Sequence, residues 1–564
     1  MRSGQVAISA TSSGVVSGAP GFVAIVLHAH LPYVRHPEHA RSIEERWLYE
    51  ALWECYLPLL GALGRLANDG MRGLLTLSIS PPLASMLRDD LLCRRFEDHL
   101  ERTAALVNRL LERSPSPFEA ALRAHRDRLA EARELWDRAG GDVLTAFVRH
   151  ASEGTIELLT TAASHAYLPG LAPASPASVR AQIRLGLRSF EALTGVRPAG
   201  LWLPECAFEP GLDRDLAGAG ALFTILDGHG IELARPRPPR GLFAPILSSR
   251  GVAYAGRDPN ASRDVWSRAS GYPGDPAYRE FYRDVGFDLP ESDLAGEIGP
   301  GGARLMTGVK LHRVTGKGPD KAPYDPDQAL ARAEIHAAHF VEERSLELRS
   351  AARERGVESS IELPPPLAVA PFDAELFGHW WFEGPLFLER ALRLLAASAR
   401  EGGVAPISLG AYLSRFPEAF VAEPAASTWG EGGFGAAWAG AASARLWRHV
   451  HHAAREVEAA VLRRRSAEGV AGAALDQAIR ELLLLEASDW AFMLTRGEMA
   501  PYAEERVRSH ASRARRLAAI AMSDEVSREA AVFTRAVAAQ DRFCSELAGD
   551  RIRDAFDPWP AGAP

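Results

Sequence analysis

LAVAPFDAELFGHWWFEGP, residues Leu367–Pro385, begins with an apolar run, Leu367–Pro371, that reads as a short buried strand. A carboxylate, Asp373, stands just past its end, followed by Glu375, His379, Trp380, Trp381 and Glu383. Upstream, GLWLPECAFEP repeats the pattern: Leu201–Leu203 read as strand, and Glu205 lies just beyond. Taken singly, either acid is more simply a helix N-cap or an ion-pair partner, and Trp380 and Trp381 would serve as plain core. Taken together they are a candidate catalytic pair. Aromatic, buried surroundings raise one carboxyl pKa while its partner stays ionised, the division of labour that glycoside chemistry requires.

Five further segments read as strands. Phe22–Leu27 is β-branched and apolar throughout, and it delivers His28, His30, Pro32 and Tyr33 at its end. The H-x-H spacing puts both imidazoles on one side of an extended chain, where they could ligate zinc or line the floor of a sugar site by hydrogen bonding. No cysteine or regular carboxylate-histidine set completes a metal shell, which favours the second reading and no metal. Leu74–Ile79 follows, then Ile156–Thr161, which leads to His165 and Tyr167. Leu222–Leu226 ends at Asp227, Gly228 and His229, and Leu305–Lys310 carries Lys310, His312 and Arg313. Seven strands separated by helices or loops, with polar residues recurring at their C-terminal ends, predict a parallel α/β barrel. The barrel would occupy residues 21–85 and 151–410, interrupted by a helical insertion at 86–150. Ala/Arg/Glu/Leu-rich helices predict a C-terminal helical domain over 411–550. Residues 1–20 read as a disordered tail and 551–564 as a second tail.

Bulk composition narrows the function classes. A chain of 564 residues is too long for one simple core, and 47% hydrophobic with 24% charged content is ordinary for a globular protein. A net charge of -8 argues against a nucleic-acid surface and suits a neutral substrate. Cys55, Cys93, Cys206 and Cys544 have no CxxC spacing, which fits a reducing compartment. No apolar run approaches the roughly 18 residues of a membrane span. The only positive side chain ahead of Phe22 is Arg2, too little for a secretory signal, so a cytoplasmic protein is expected.

The ordered set of motifs resembles glycoside hydrolase family 57, in particular its glucan branching members. HAHLPYVRHPE, SHAYLP with His165, GLWLPECAF, GRDP with VWSR and GYPGD, GVKLHRVTGK, APFDAELFGHWWFEGP, STWGEGGF and ASDWAFML carry the resemblance, from about Phe22 to about His510. It implies an α/β fold built on an incomplete seven-stranded (β/α)7 barrel with a helical insertion and a helical C-terminal domain. It also implies a retaining mechanism without metal or other cofactor. By position, Glu205 matches the family's nucleophile and Asp373 its general acid/base. Arg257, Gly274, Trp429, Asp489 and Glu498 match substrate contacts, and Trp266 and Trp438 match cleft aromatics. The implied partners are α-1,4-glucan donor and acceptor chains such as amylose and glycogen, with no nucleic acid or membrane, and a monomer is expected.

Three positions depart from the family pattern. The loop ARPRPPRGLFAP reads as a mobile lid or a bland surface loop, and it has Arg240 where the resemblance calls for tyrosine. Glu498 replaces a glutamine. Gly435, in FGAAW, offers no ring where the family is rich in aromatics. The first departure predicts a shifted balance between glucan transfer and hydrolysis.

Overall fold

A computed structural model describes residues 18–113, 116–267, 270–294, 296–299, 302–316, 318, 320–353 and 363–560. Most of the proposed N-terminal tail therefore lies outside the described residues. Ten strands are present among them: β1 (Phe22–Ala29), β2 (Thr76–Ile79), β3 (Glu157–Thr161), β4 (Leu201–Trp202), β5 (Phe223–Leu226), β6 (Ile246–Leu247), β7 (Ala253–Gly256), β8 (Leu367–Asp373), β9 (Ala405–Pro406) and β10 (Phe420–Val421). β1 is buried at all eight positions, as its unbroken apolar run requires of a strand covered on both faces.

Parallel pairing gives one arc, β4-β3-β2-β1-β8, with β9 alongside β1, and a second sheet in which β5 pairs with β7. Single bridges join the two, Gly200 to Phe223 at one seam and Arg257 to Val369 at the other. Seven parallel strands, β1–β5, β7 and β8, thus ring a core, with both seams held by isolated bridges. The expected incomplete (β/α)7 barrel is present, but its sixth strand is misplaced in the sequence reading. Residues 305–310 form no strand. Gly308 turns left-handed (φ +82°), and Asp284 accepts from Thr307 N, Thr307 Oγ1 and Gly308 N, which folds the segment into a loop. The ring position belongs instead to β7, four residues long with glycine at its end.

Helices Asp90–Leu111, Glu119–Arg138 and Val143–Ser152 fill the insertion. Five helices, from Ala444–Arg464 to Arg528–Gln540, build the C-terminal domain, with Gly469–Leu485 packed along Ala500–Met522. Residues 551–560 are not a tail. Arg180 and Arg184 donate to carbonyls of residues 554–558, Arg184 stacks 3.7 Å over Trp559, and Trp559 bonds Asp215. No described helix is long and apolar enough to cross a membrane.

One irregularity positions the loop after β8. Leu52–Tyr56 is a single π-helical turn between helices Glu45–Ala51 and Leu57–Asn68. Such bulges re-aim side chains and recur at functional sites. Here the bulge sends Cys55 to the Ala374 carbonyl and the Tyr56 hydroxyl to Glu375. The loop must pass so close that a Cβ on Gly378, itself at φ +123°, would lie 1.9 Å from the Glu54 carbonyl. Gly378→Ala is therefore expected to destabilise the protein by about 3 kcal/mol or more, from backbone strain plus overpacking. Gly64→Ala, inside helix Leu57–Asn68 with open space around its Cβ, is expected to be neutral or stabilising by up to about 1 kcal/mol. Thermal unfolding of the two variants checks the contrast.

Candidate active site

The C-terminal ends of the barrel strands open into a cleft of about 850 Å³. Glu205 enters it from the turn after β4, where the backbone is left-handed (φ +62°, ψ +20°), an uncommon state for a non-glycine residue. Two bonds hold the turn: Cys206 N–H donates to the Leu203 carbonyl, and Trp429 N–H donates to that of Glu205. The carboxyl is gripped at both oxygens, by Trp429 Nε1–H at 2.7 Å on Oε2 and by the Ser488 hydroxyl at 2.8 Å on Oε1. Burial pushes the Glu205 pKa up to about 7, and these two bonds hold it from rising further. Asp373, the last residue of β8, is raised well above the usual carboxylate range by burial, then by the negative charges of Glu375 and Glu205, against the pull of Arg257. The surroundings of Asp373 favour its protonated form and the two donors at Glu205 favour its carboxylate, so the first suits a general acid and the second a nucleophile.

Arg257 follows β7 and is fixed by Ser262 (2.6 Å) and Asp227 (3.2 Å), with its guanidinium 5.4 Å from the Trp429 ring centre. His28, His30 and His165 stack at the cleft floor, the rings of His30 and His165 centred 3.9 Å apart. Each of their six ring nitrogens has a protein partner: Ser78 and His165 for His28, Ser80 and Asp489 for His30, and Ser488 and His28 for His165. Burial lowers His28 and His165; at His30 burial pulls the same way, but Asp489, 3.2 Å from Nε2, together with the charges of Glu205 and Glu375 raises it on balance.

The remaining expected residues divide. Trp429, Trp266, Trp438 and Glu498 line the cleft, with Trp438 packed between Tyr167 and Phe492. Gly274 does not join them. It ends the turn Tyr272–Gly274, whose Tyr272 packs on Trp381 and Phe387. Arg240 lies in a small crevice with Leu363, Pro364 and Phe420, near the start of β8 and away from the cleft wall. Gly435 has a steric reason, because a Cβ there (φ +77°) would sit 2.0 Å from the Tyr167 hydroxyl oxygen.

Sequence reasoning missed Ser488, although it adjoins Asp489, and it left Trp380 undecided between core and site. Trp381 is core at 1% exposure, whereas Trp380 is 47% exposed and stacks on Phe281 at 4.2 Å. Phe281 carried no signal in the sequence. Behind Trp380, His379 bonds Glu54 (2.6 Å), which also pairs with fully buried Arg279 (2.8 Å). Exposed Ile43, Trp266, Phe287, Trp380, Phe492 and Met499 all face this one cleft, a concentration of apolar surface that marks a binding site.

A parallel barrel with two buried carboxyls in differently biased surroundings at the end of an aromatic cleft is the arrangement of a carbohydrate-active barrel enzyme. The family model described as "Glycosyl hydrolase family 57" matches residues 24–280, and the one described as "1,4-alpha-glucan branching enzyme, C-terminal" matches 449–547. A 1,4-alpha-glucan branching enzyme of Thermococcus kodakarensis is 31% identical over 88% of this chain and 73% of its own. A probable 1,4-alpha-glucan branching enzyme of Mycobacterium tuberculosis is 33% identical, covering 89% and 92%. Among solved structures, an alpha-amylase of Thermotoga maritima aligns with TM-score 0.85 at 35% identity, covering 95% of this chain and 99% of its own. The GH57-type branching enzyme of Pyrococcus horikoshii aligns at 0.82 and 30%, covering 97% and 98%. The chain belongs to glycoside hydrolase family 57.

A nucleophilic Glu205 would have to be ionised, and burial brings it to about 7, so kcat/KM is expected to fall as pH drops through about 7. Trp429→Phe removes a bond that favours the carboxylate and should move this acid limb to higher pH, which a pH profile checks.

Proposed function

We propose that the protein is a 1,4-α-glucan branching enzyme that cleaves an α-1,4 bond with retention and re-forms the link as an α-1,6 branch. The observation that carries this reading is Glu205, gripped at both oxygens and sharing a buried cleft with Asp373, whose carboxyl is pushed toward its protonated form by burial and by the charges of Glu375 and Glu205. Glu205 attacks the anomeric carbon while Asp373 protonates the departing glycosidic oxygen, giving a covalent glycosyl-enzyme. Asp373, now a carboxylate, takes the proton from the 6-hydroxyl of an acceptor glucan as that oxygen attacks the anomeric carbon and releases Glu205. Amylose-like and glycogen-like chains are the donors and acceptors, and Arg257, Trp429, Asp489, Glu498, Trp266 and Trp438 hold them. The cleft floor of His30 and Asp489 supplies polar contacts, and the exposed aromatics supply stacking faces for pyranose rings.

A second reading is α-1,4-glucan hydrolysis, favoured by the likeness to the Thermotoga maritima alpha-amylase. Water then replaces the acceptor hydroxyl in the second step.

Incubation with amylose, followed by proton NMR for α-1,6 linkages and a reducing-end assay, separates the two. Branching predicts new α-1,6 signal with few new reducing ends, and reducing ends without α-1,6 signal would establish the hydrolase. Glu205→Gln keeps the shape of the side chain and removes its nucleophilicity, so turnover should be lost while glucan binding, measured by co-sedimentation with insoluble glucan, persists.

A further inference from the structure

Four hydrogen bonds run in one line from β2 to the nucleophile. His28 Nδ1 lies 3.2 Å from the Ser78 hydroxyl, His28 Nε2 is 2.9 Å from His165 Nε2, His165 Nδ1 is 2.9 Å from the Ser488 hydroxyl, and Ser488 Oγ is 2.8 Å from Glu205 Oε1. Donors and acceptors follow from the far end. An ionised carboxylate only accepts, so Ser488 donates to Glu205. A hydroxyl has one proton, so towards His165 it offers lone pairs alone and His165 Nδ1 must carry the hydrogen. Burial disfavours a charge on either His28 or His165, so each ring is neutral with one N–H. His165 Nε2 is then a bare acceptor, His28 Nε2 is its donor, and the Ser78 hydroxyl donates to His28 Nδ1.

We propose that Ser488, His165 and His28 form a polarised positioning relay in which every donor points toward Glu205, with His165 held in its Nδ1–H tautomer. Neither histidine presents a free ring nitrogen to substrate, and the Ser488 hydroxyl is spent on Glu205, so the three act on the sugar through Glu205. The main chain assembles the relay across the junction of barrel and helical domain. Ser488 N–H donates to the His165 carbonyl at 3.1 Å, Ala166 and Ala487 form a bridge beside it, and His165 adopts left-handed φ (+60°). Glu205 is also faced by His30 from β1, Asp489 beside Ser488, Asp373 from β8, the neighbouring Cys206, and Tyr167. The variants below leave these groups in place.

The relay rests on Glu205 as the nucleophile of the proposed reaction. Ser488→Ala removes the last donor, so the acid limb of kcat/KM on amylose should move up by about one pH unit, with roughly tenfold loss on that limb and little loss on the plateau. Ser488→Thr retains the hydroxyl and should keep the wild-type limb. His165→Asn should also keep it, since an asparagine amide can donate from near the Nδ1 position and tolerates positive φ. An acid limb unmoved in Ser488→Ala, or a loss equal at every pH, overturns the relay while leaving the nucleophile assignment intact. A wild-type protein that turns over no glucan overturns both.

Discussion

A carboxyl group taken out of water resists ionisation, and the site depends on how that resistance is met at Glu205. Burial alone would favour its protonated form. Trp429 and Ser488 each donate one hydrogen bond to a separate oxygen. These donors come from distant parts of the chain, one from the segment after the barrel and one from the helical domain. The family-matched C-terminal region therefore contributes to the cleft: Asp489 and Glu498 line it, and Ser488 bonds Glu205.

Asp373 is handled in the opposite sense. It keeps its burial penalty and gains two negative neighbours, Glu375 and Glu205, all of which favour its protonated form. Glu375 is itself fixed by the Tyr56 hydroxyl and the His30 N–H, and the π-helical turn that carries Tyr56 closes on Gly378. The fully buried Glu54–Arg279 pair braces the same loop through His379. Removing either partner would leave an uncompensated buried charge, so this network constrains the loop's shape more than it adds net stability.

How legible this was in the sequence depended on the length of the signal. β1 and β8 are long unbroken apolar runs, and they were placed correctly with their terminal acid or imidazoles. β7 has four residues and ends in glycine, so it was passed over for the more apolar 305–310, which Asp284 and Gly308 pull into a loop. Glu205, Asp373 and the three histidines lie at or within a few residues of strand C-terminal ends, which is why the strand reading singles them out. Gly274 and Arg240 came from motif position alone, and neither reaches the cleft wall. Phe281 was invisible because only tertiary contact brings it to Trp380. Gly435, read as a missing ring, is a position where Tyr167 leaves no room for one.

The central claim is that Glu205 becomes covalently linked to sugar in the reaction cycle. Trapping the intermediate with a fluorinated α-glucosyl fluoride, followed by proteolysis and mass spectrometry, tests it most directly. The account predicts one added sugar on the peptide containing Glu205 and none on the peptide containing Asp373. A label on Asp373, or turnover of the reagent with no adduct at any residue, would contradict it.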